Sequence, residues 1–160
     1  EWFENYIVKL KANLARKPQG NDRDQVKAIY AGVCDLSIGN HYYYFKMLDD
    51  PNQRVWLDKV SPIFPNQDNY GTHVNISGIA IINDENYDAS IDFLNFLLSD
   101  EAQEIYANDN NEFPVNPNVS ASKRVQKLAN NAKFDSTSLE EIASNRKAVL
   151  DILNKINFDG

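Results

Sequence analysis

The sequence is poor in cysteine, in basic residues and in long apolar runs. With one cysteine, Cys34, no internal disulfide can form, and because it stands in an apolar stretch we predict a buried thiol. Acidic residues outnumber basic ones by 23 to 16, giving a net charge of -7. This charge argues against a surface for nucleic acid or anionic membranes. No apolar run is long enough to span a bilayer.

The short motifs that mark common enzyme sites are also missing. The chain has no P-loop, no Gly-x-Gly-x-x-Gly turn, no Gly-x-Ser-x-Gly nucleophile turn and no Cys-x-x-Cys pair. Its two histidines, His41 and His73, are far apart and fit no zinc spacing, so we predict structural or surface roles for both. We therefore expect a protein that is not an enzyme.

What the chain does have is the composition of a folded domain. Its 160 residues are 42% hydrophobic and 24% charged, which suits one domain with a real core. The opening residues, Glu1, Trp2 and Phe3, are typical of a helix interior. We therefore expect a mature or cut piece of a longer protein.

Helical and extended patterns alternate along the chain, which indicates the α/β class. Apolar residues at helical spacing predict helices over 1–16, 23–31, 42–48, 87–98, 101–107, 121–132 and 139–156. Continuous or alternating apolar residues predict strands over 33–38 and 72–82. The expected helix caps are Asn21 or Asp22, Asn83 with Asp84, and a capping box of Ser138 with Glu141.

Three consecutive tyrosines follow the first predicted strand, at the start of the helix over 42–48. In open α/β sheets, ligands bind outside the carboxyl ends of strands and against helix N-termini. Neighbouring helical residues point about 100° apart, so Tyr42, Tyr43 and Tyr44 cannot all face one core. Two interpretations stay open from these residues alone. The rings pack between strand and helix, or their phenolate oxygens bind a hard trivalent cation such as Fe(III).

Five segments, in order along the chain, resemble periplasmic ferric iron-binding proteins, the substrate-binding subunits of iron ABC transporters. Residues 31–43, AGVCDLSIGNHYY, resemble the segment AGxxDxAIxNxYY of that family, and residues 14–25 resemble its ARxPQGxDRDQ. Residues 71–78 resemble GTHxNxSG, 93–103 resemble FLEFLLSxEAQ, and 112–117 resemble EYPVNP. The likeness runs from about residue 1 to 156.

The resemblance implies the C-terminal portion of a two-lobed type II periplasmic-binding-protein fold, of the α/β class. Residues 1–71 would be part of the C-terminal lobe. Residues 72–115 would hold a hinge strand and a return segment to the N-terminal lobe, and residues 116–160 the C-terminal helices. The remaining half of the protein, before residue 1, would be a partner of this chain.

The resemblance also implies a binding site. The tyrosine pair of the family falls on Tyr42 and Tyr43, which would be two phenolate ligands to Fe(III), while Tyr44 would pack. Asn40 and Arg23 fall where some members contact a synergistic anion, and Lys46 falls where relatives place an arginine near the metal. Lys46 is otherwise a solvated helix charge. The other iron ligands would come from the N-terminal lobe.

The function implied is periplasmic: binding of ferric iron between the lobes and delivery to an ABC transporter permease, with no nucleic acid involved. Two alternatives stay open. The chain could bind another solute, such as an oxoanion or a polyamine, or it could be a ligand-free helical interaction fragment with its tyrosines in the core. A hydrolase is a third reading, for which the sequence offers no nucleophile and base.

Overall fold

The computed structural model describes residues 1–82 and 85–159, and these are mainly helical. The α-helices are α1 (Trp2–Ala12), α2 (Asp22–Tyr30), α3 (His41–Asp49), α4 (Tyr87–Leu97), α5 (Asp100–Asn108), α6 (Lys123–Leu128) and α7 (Leu139–Lys155), with a 3-10 helix at Arg54–Lys59 between α3 and α4. Every predicted helix is therefore present. Two are shorter than expected: α1 ends at Ala12 rather than near residue 16, and α6 covers only Lys123–Leu128 of the predicted 121–132.

Side-chain caps fix where several helices begin. The Asn21 side chain accepts from the backbone N–H of Asp24 (3.3 Å), and the Asp24 carboxylate accepts from that of Asn21 (2.9 Å). This capping box starts α2. The Ser138 hydroxyl accepts from the Glu141 N–H (3.2 Å) at the start of α7, which is the serine half of the predicted box. Residues 83 and 84, the predicted caps of α4, lie outside the described residues.

The predicted buried strand over 33–38 is wrong for this structure. Leu36 and Ile38 are 80% and 90% exposed, Cys34 is only half-buried, and the Val33 N–H bonds back to the Ala28 carbonyl at the end of α2. A strand needs a neighbour to pair with its backbone groups. Within residues 1–82 and 85–159 no second strand lies beside this segment.

The predicted strand over 72–82 is formed at one residue only. Thr72 makes an isolated parallel bridge with Phe134, through bonds of 2.9 Å to the Lys133 carbonyl and from the Asp135 N–H. Farther along, Ile82 is 99% exposed. Residues 79–82 and α4 line one open cavity, so most of these apolar side chains stay exposed, and beyond Thr72 no strand pairs with the segment within the described residues.

Gly71 makes the bridge at Thr72 possible. Its φ is +91°, a conformation that L side chains rarely adopt. A Cβ added there would stand 2.7 Å from the Phe134 carbonyl carbon and 2.8 Å from the Lys133 oxygen. The two backbones can therefore approach this closely only at a glycine.

One part of the core lies where α2, α3 and the 3-10 helix pack together, and further buried side chains come from α1, α5 and α6. Among the described residues, the buried hydrophobic side chains are Ile7, Ala28, Phe45, Met47, Leu57, Ala102, Ala107 and Val125. Helix α7 buries none of its side chains and is tied to α1 by an ion pair between Lys155 and Glu4 (2.6 Å). The chain thus has a firm centre around α3 and a loosely attached terminal helix.

The accessible surface is large for the size of the chain. It measures 12045 Å², whereas a compact monomer of 18.2 kDa exposes about 8,100 Å². Exposed side chains such as Ile79, Phe93 and Phe96 supply part of this excess. Much apolar surface is therefore left uncovered. None of the described helices combines the length and the hydropathy of a membrane span.

Candidate metal centre

The N-termini of α2 and α3 meet through one carboxylate. The Asp22 Oδ1 atom, in the first turn of α2, accepts from the Asn40 backbone N–H (2.8 Å) and from its side-chain amide (3.2 Å). Asn40 is the N-cap residue of α3. Its own Oδ1 accepts from the Asn75 side-chain amide at 3.2 Å. Asp22 and Asn75 thus hold the residue from which the tyrosine helix starts.

Tyr42 and Tyr43 lie side by side in the first turn of α3. Their ring centroids are 4.7 Å apart with the planes tilted by 43°, and both side chains are half-buried. Tyr44 instead packs edge-on against the buried Phe45 ring at 5.6 Å. The pair is therefore partly accessible at a helix N-terminus, and neither ring belongs to the core.

The two predicted cationic residues lie over the faces of these rings. The Lys46 Nζ is 5.7 Å from the Tyr42 ring centroid, and the Arg23 Cζ is 5.7 Å from that of Tyr43. Such cation–π contacts are individually weak, but they hold positive charge beside the phenols. The structure thus brings Arg23, Lys46 and the tyrosine pair together at one place, beside the N-cap Asn40.

The electrostatics around Tyr42 favour its neutral form. Partial burial raises the pKa of the Tyr42 phenol above its ordinary value of 10.0, and the neighbouring Tyr43 hydroxyl and the carboxylates of Asp22 and Glu112 raise it further. Tyr42 therefore keeps its proton at neutral pH, and only a strongly bound cation can displace it. The same negative surroundings attract a cation.

His41 has the structural contact expected of it. Its Nε2 atom lies 2.7 Å from the Asn111 carbonyl oxygen, to which the ring donates. Burial lowers the pKa of His41 below 6.5, while that hydrogen bond and the Glu112 carboxylate partly oppose the change. The ring also packs against Phe113, with centroids 5.1 Å apart. His73 is exposed.

Sequence reasoning did not single out Glu112 or Asn75 for the site. Both stand in segments that resemble the iron-binding family, Glu112 in 112–117 and Asn75 in 71–78, but the sequence alone assigned neither residue a role at the tyrosine pair. Both reach the start of α3 from distant parts of the chain. Among residues 1–82 and 85–159, no group of three or more His, Cys, Asp or Glu residues is placed to hold a metal.

Comparison with known proteins agrees with this architecture. The family described as bacterial extracellular solute-binding protein matches residues 24–133. The chain belongs to this family. Its members bind solutes for transport and are not enzymes, which confirms the prediction made from the missing motifs. The family also confirms a location outside the cytoplasm.

Among curated relatives, the chain is 35% identical over 160 residues to Iron uptake protein A1 of Synechocystis sp.. The match covers 98% of the chain but 43% of that relative. The chain therefore spans less than half the length of this relative.

Two solved structures confirm the fold. Apo ferric ion-binding protein A of Pasteurella haemolytica matches with a TM-score of 0.91 at 44% identity, covering 98% of this chain and 49% of that one. The Trichodesmium protein IdiA (FutA), solved with iron and citrate, matches with a TM-score of 0.79 at 36% identity. This match covers 91% of this chain and 47% of that one. The chain is a portion of the type II periplasmic-binding-protein fold, and the partial coverage fits its C-terminal half.

Proposed function

We propose that the chain is one half of a ferric iron-binding protein, in which Tyr42 and Tyr43 are ligands to Fe(III). The observation that carries this proposal is the pair of adjacent, half-buried phenols at the start of α3. The iron-related names of the relatives support it. Half-burial of both rings argues against the ligand-free alternative, in which the pair would fill the core.

The chemistry of this place suits a hard trivalent cation. Phenolate is a hard oxygen donor, and adjacent residues offer two such oxygens to one ion. Binding requires each phenol to lose its proton, and the charge of Fe(III) supplies the free energy for that loss. Arg23 and Lys46, over the ring faces, then lie next to the phenolates and offset their negative charge.

In this proposal a synergistic anion can share the site with the metal. The Asn40 side chain caps none of the backbone N–H groups in the first turn of α3, and Arg23 adds a full positive charge beside that turn. Asn40 is held in place by Asp22, so its amide is positioned but already engaged. We therefore assign Arg23 the larger part in any anion contact, and Asn40 the smaller.

The other ligands would come from a second lobe. In this proposal residues 1–71 belong to the C-terminal lobe, residues 72–115 include the hinge strand and the return segment, and residues 116–160 form the C-terminal helices. The exposed apolar side chains along 72–82 would pair and pack with that lobe. Closure of the lobes would complete the coordination of iron. Opening, at an ABC transporter permease facing the periplasm, would release it.

The test is a titration of the full-length gene product with Fe(III) supplied as a weak chelate. Tyrosinate bound to Fe(III) gives a visible charge-transfer band, so the wild type is expected to show one. Tyr42→Phe and Tyr43→Phe each remove one ligand oxygen and should weaken and shift the band. Tyr44→Phe removes a hydroxyl from the same helix and should leave it unchanged.

Two results would contradict the proposal. The first is a wild-type protein that binds Fe(III) with no charge-transfer band. The second is a band that persists unaltered in both Tyr42→Phe and Tyr43→Phe. Binding of an oxoanion or a polyamine by a protein that ignores Fe(III) would favour the alternative of another solute.

A further inference from the structure

A single buried asparagine contacts the start of the tyrosine helix and, through an arginine, its end. Asn111 is fully buried, with an exposed fraction of 0%, in the loop after α5. Its carbonyl oxygen accepts from the His41 ring, in the first residue of α3, at 2.7 Å. Its side-chain oxygen accepts from Arg124 Nε of α6 at 2.5 Å.

Arg124 carries the connection to the other end of α3. Its two terminal nitrogens donate to the two Asp49 carboxylate oxygens, at 2.8 and 2.7 Å, in a bidentate pair. Its guanidinium also lies over the Phe45 ring, 5.0 Å from the centroid. Arg124 thus contacts the last residue of α3 and the buried face of its middle.

The backbone of Asn111 is shaped for this role. Its φ of +60° lies in the left-handed region, which asparagine tolerates better than most residues. The next N–H, that of Glu112, donates to the Tyr106 carbonyl of α5 at 3.1 Å, which anchors the loop. Among residues 1–82 and 85–159, the Asn111 Nδ2 has no hydrogen-bond partner, so the hydrogen bond this side chain makes there is through its oxygen, to Arg124.

We propose that Asn111 and Arg124 are positioning residues for the Fe(III) ligands, fixing both ends of α3 so that the Tyr42 and Tyr43 oxygens present one geometry to the metal. The inference rests on the proposed function. Neither residue reaches the metal in this proposal; each acts through α3. The helix has nine residues, so a rotation of a few degrees at its ends moves both hydroxyls. Two ligand oxygens on one short helix leave little tolerance for such a rotation.

The experiment uses the full-length protein and two readouts, the energy of the charge-transfer band and the rate of iron loss to a competing chelator. Asn111→Gly tolerates the positive φ and keeps the carbonyl that His41 needs, but removes the oxygen on Arg124. We expect a shifted band and iron loss about tenfold faster, since changes in groups that orient metal ligands commonly have effects of this size. Arg124→Lys is the second variant, to be used if Asn111→Gly does not fold. Lysine lacks the planar guanidinium that bonds both Asp49 oxygens, so this variant should shift the band and speed iron loss in the same direction.

Asn111→Asp is the rescue variant, because an aspartate tolerates the same φ and keeps an acceptor for Arg124. It should keep the wild-type band and rate. Lys155→Gln is the control, because it breaks an ion pair with Glu4 of matching length, 2.6 Å, at the α7–α1 contact. It should change neither readout, although it lowers stability slightly.

The outcomes separate this inference from the function on which it rests. Suppose that the wild type shows the band and that Asn111→Gly and Arg124→Lys both keep its energy and the rate of iron loss. This result would overturn the positioning role and leave iron binding intact, even if both variants melted at lower temperatures. A wild type without a band overturns the function, and the positioning role is overturned with it. A band shift in Lys155→Gln equal to that in Asn111→Gly would also overturn the inference, because any loss of stability would then produce it.

Discussion

At the scale of single residues, the proposed site consists of two hydroxyl groups and the charges around them. Three tyrosines in a row at a helix start cannot all be core residues, which left packing and metal binding open, and the family resemblance then singled out Tyr42 and Tyr43; their role as ligands stays a prediction. Glu112 and Asn75 could not be singled out in this way, because they approach α3 only through the tertiary fold. The positions of Arg23 and Lys46 over the tyrosine rings likewise follow from the packing of α2 and from the helical turn of α3.

If Tyr42 is an iron ligand as proposed, its raised pKa predicts how iron binding depends on pH. A phenol whose pKa lies above 10.0 is protonated throughout the neutral range, so Fe(III) must displace its proton. We expect iron binding to release one proton from each tyrosine ligand, and the apparent affinity to fall as the pH is lowered. Proton release on adding Fe(III), followed with a pH indicator in weak buffer, measures this directly.

The matching control for proton release is Tyr42→Phe, which should release one proton fewer per iron than the wild type. Tyr44→Phe should release the wild-type number. Equal release by the wild type and Tyr42→Phe would show that Tyr42 does not ionise on binding iron.

At the scale of secondary-structure elements, helices were predictable and strands were not. A helix satisfies its backbone within one segment, so caps such as Asn21 and Ser138 and the apolar spacing predict it locally. A strand depends on a neighbour, and the segments over 33–38 and 72–82 have none within the described residues except at Thr72. Their apolar composition still shows that they are suited to pairing and burial.

The bridge at Thr72 gives a prediction about Gly71. Gly71→Ala forces a Cβ into a positive φ and against the backbone of Lys133 and Phe134, so we expect a loss of about 2 kcal/mol or more in the free energy of unfolding. Gly78→Ala is the matched control, because a Cβ at Gly78 meets nothing within 4 Å. Chemical denaturation of the full-length variants measures both changes. Equal stability of the two would mean that the bridge contributes little to the fold.

At the scale of the whole molecule, the chain has a packed core around α3 and exposed apolar side chains elsewhere. Its surface exceeds that of a compact monomer by about half, and helix α7 buries no side chain. These features agree with a match that covers 43% to 49% of its relatives. The family, the fold and the place of the tyrosine pair could be inferred from sequence, because local motifs carry them. The full coordination of the metal could not, because in the proposed function the remaining ligands come from a second lobe.

The central claim is that one Fe(III) ion binds to the oxygens of both Tyr42 and Tyr43. Anomalous diffraction at the iron edge, from crystals of the full-length protein loaded with Fe(III), tests it most directly. The account predicts a single strong peak within coordination distance of both phenolate oxygens, with the remaining ligands contributed by the second lobe. A peak elsewhere, with both hydroxyls free of metal, would contradict it.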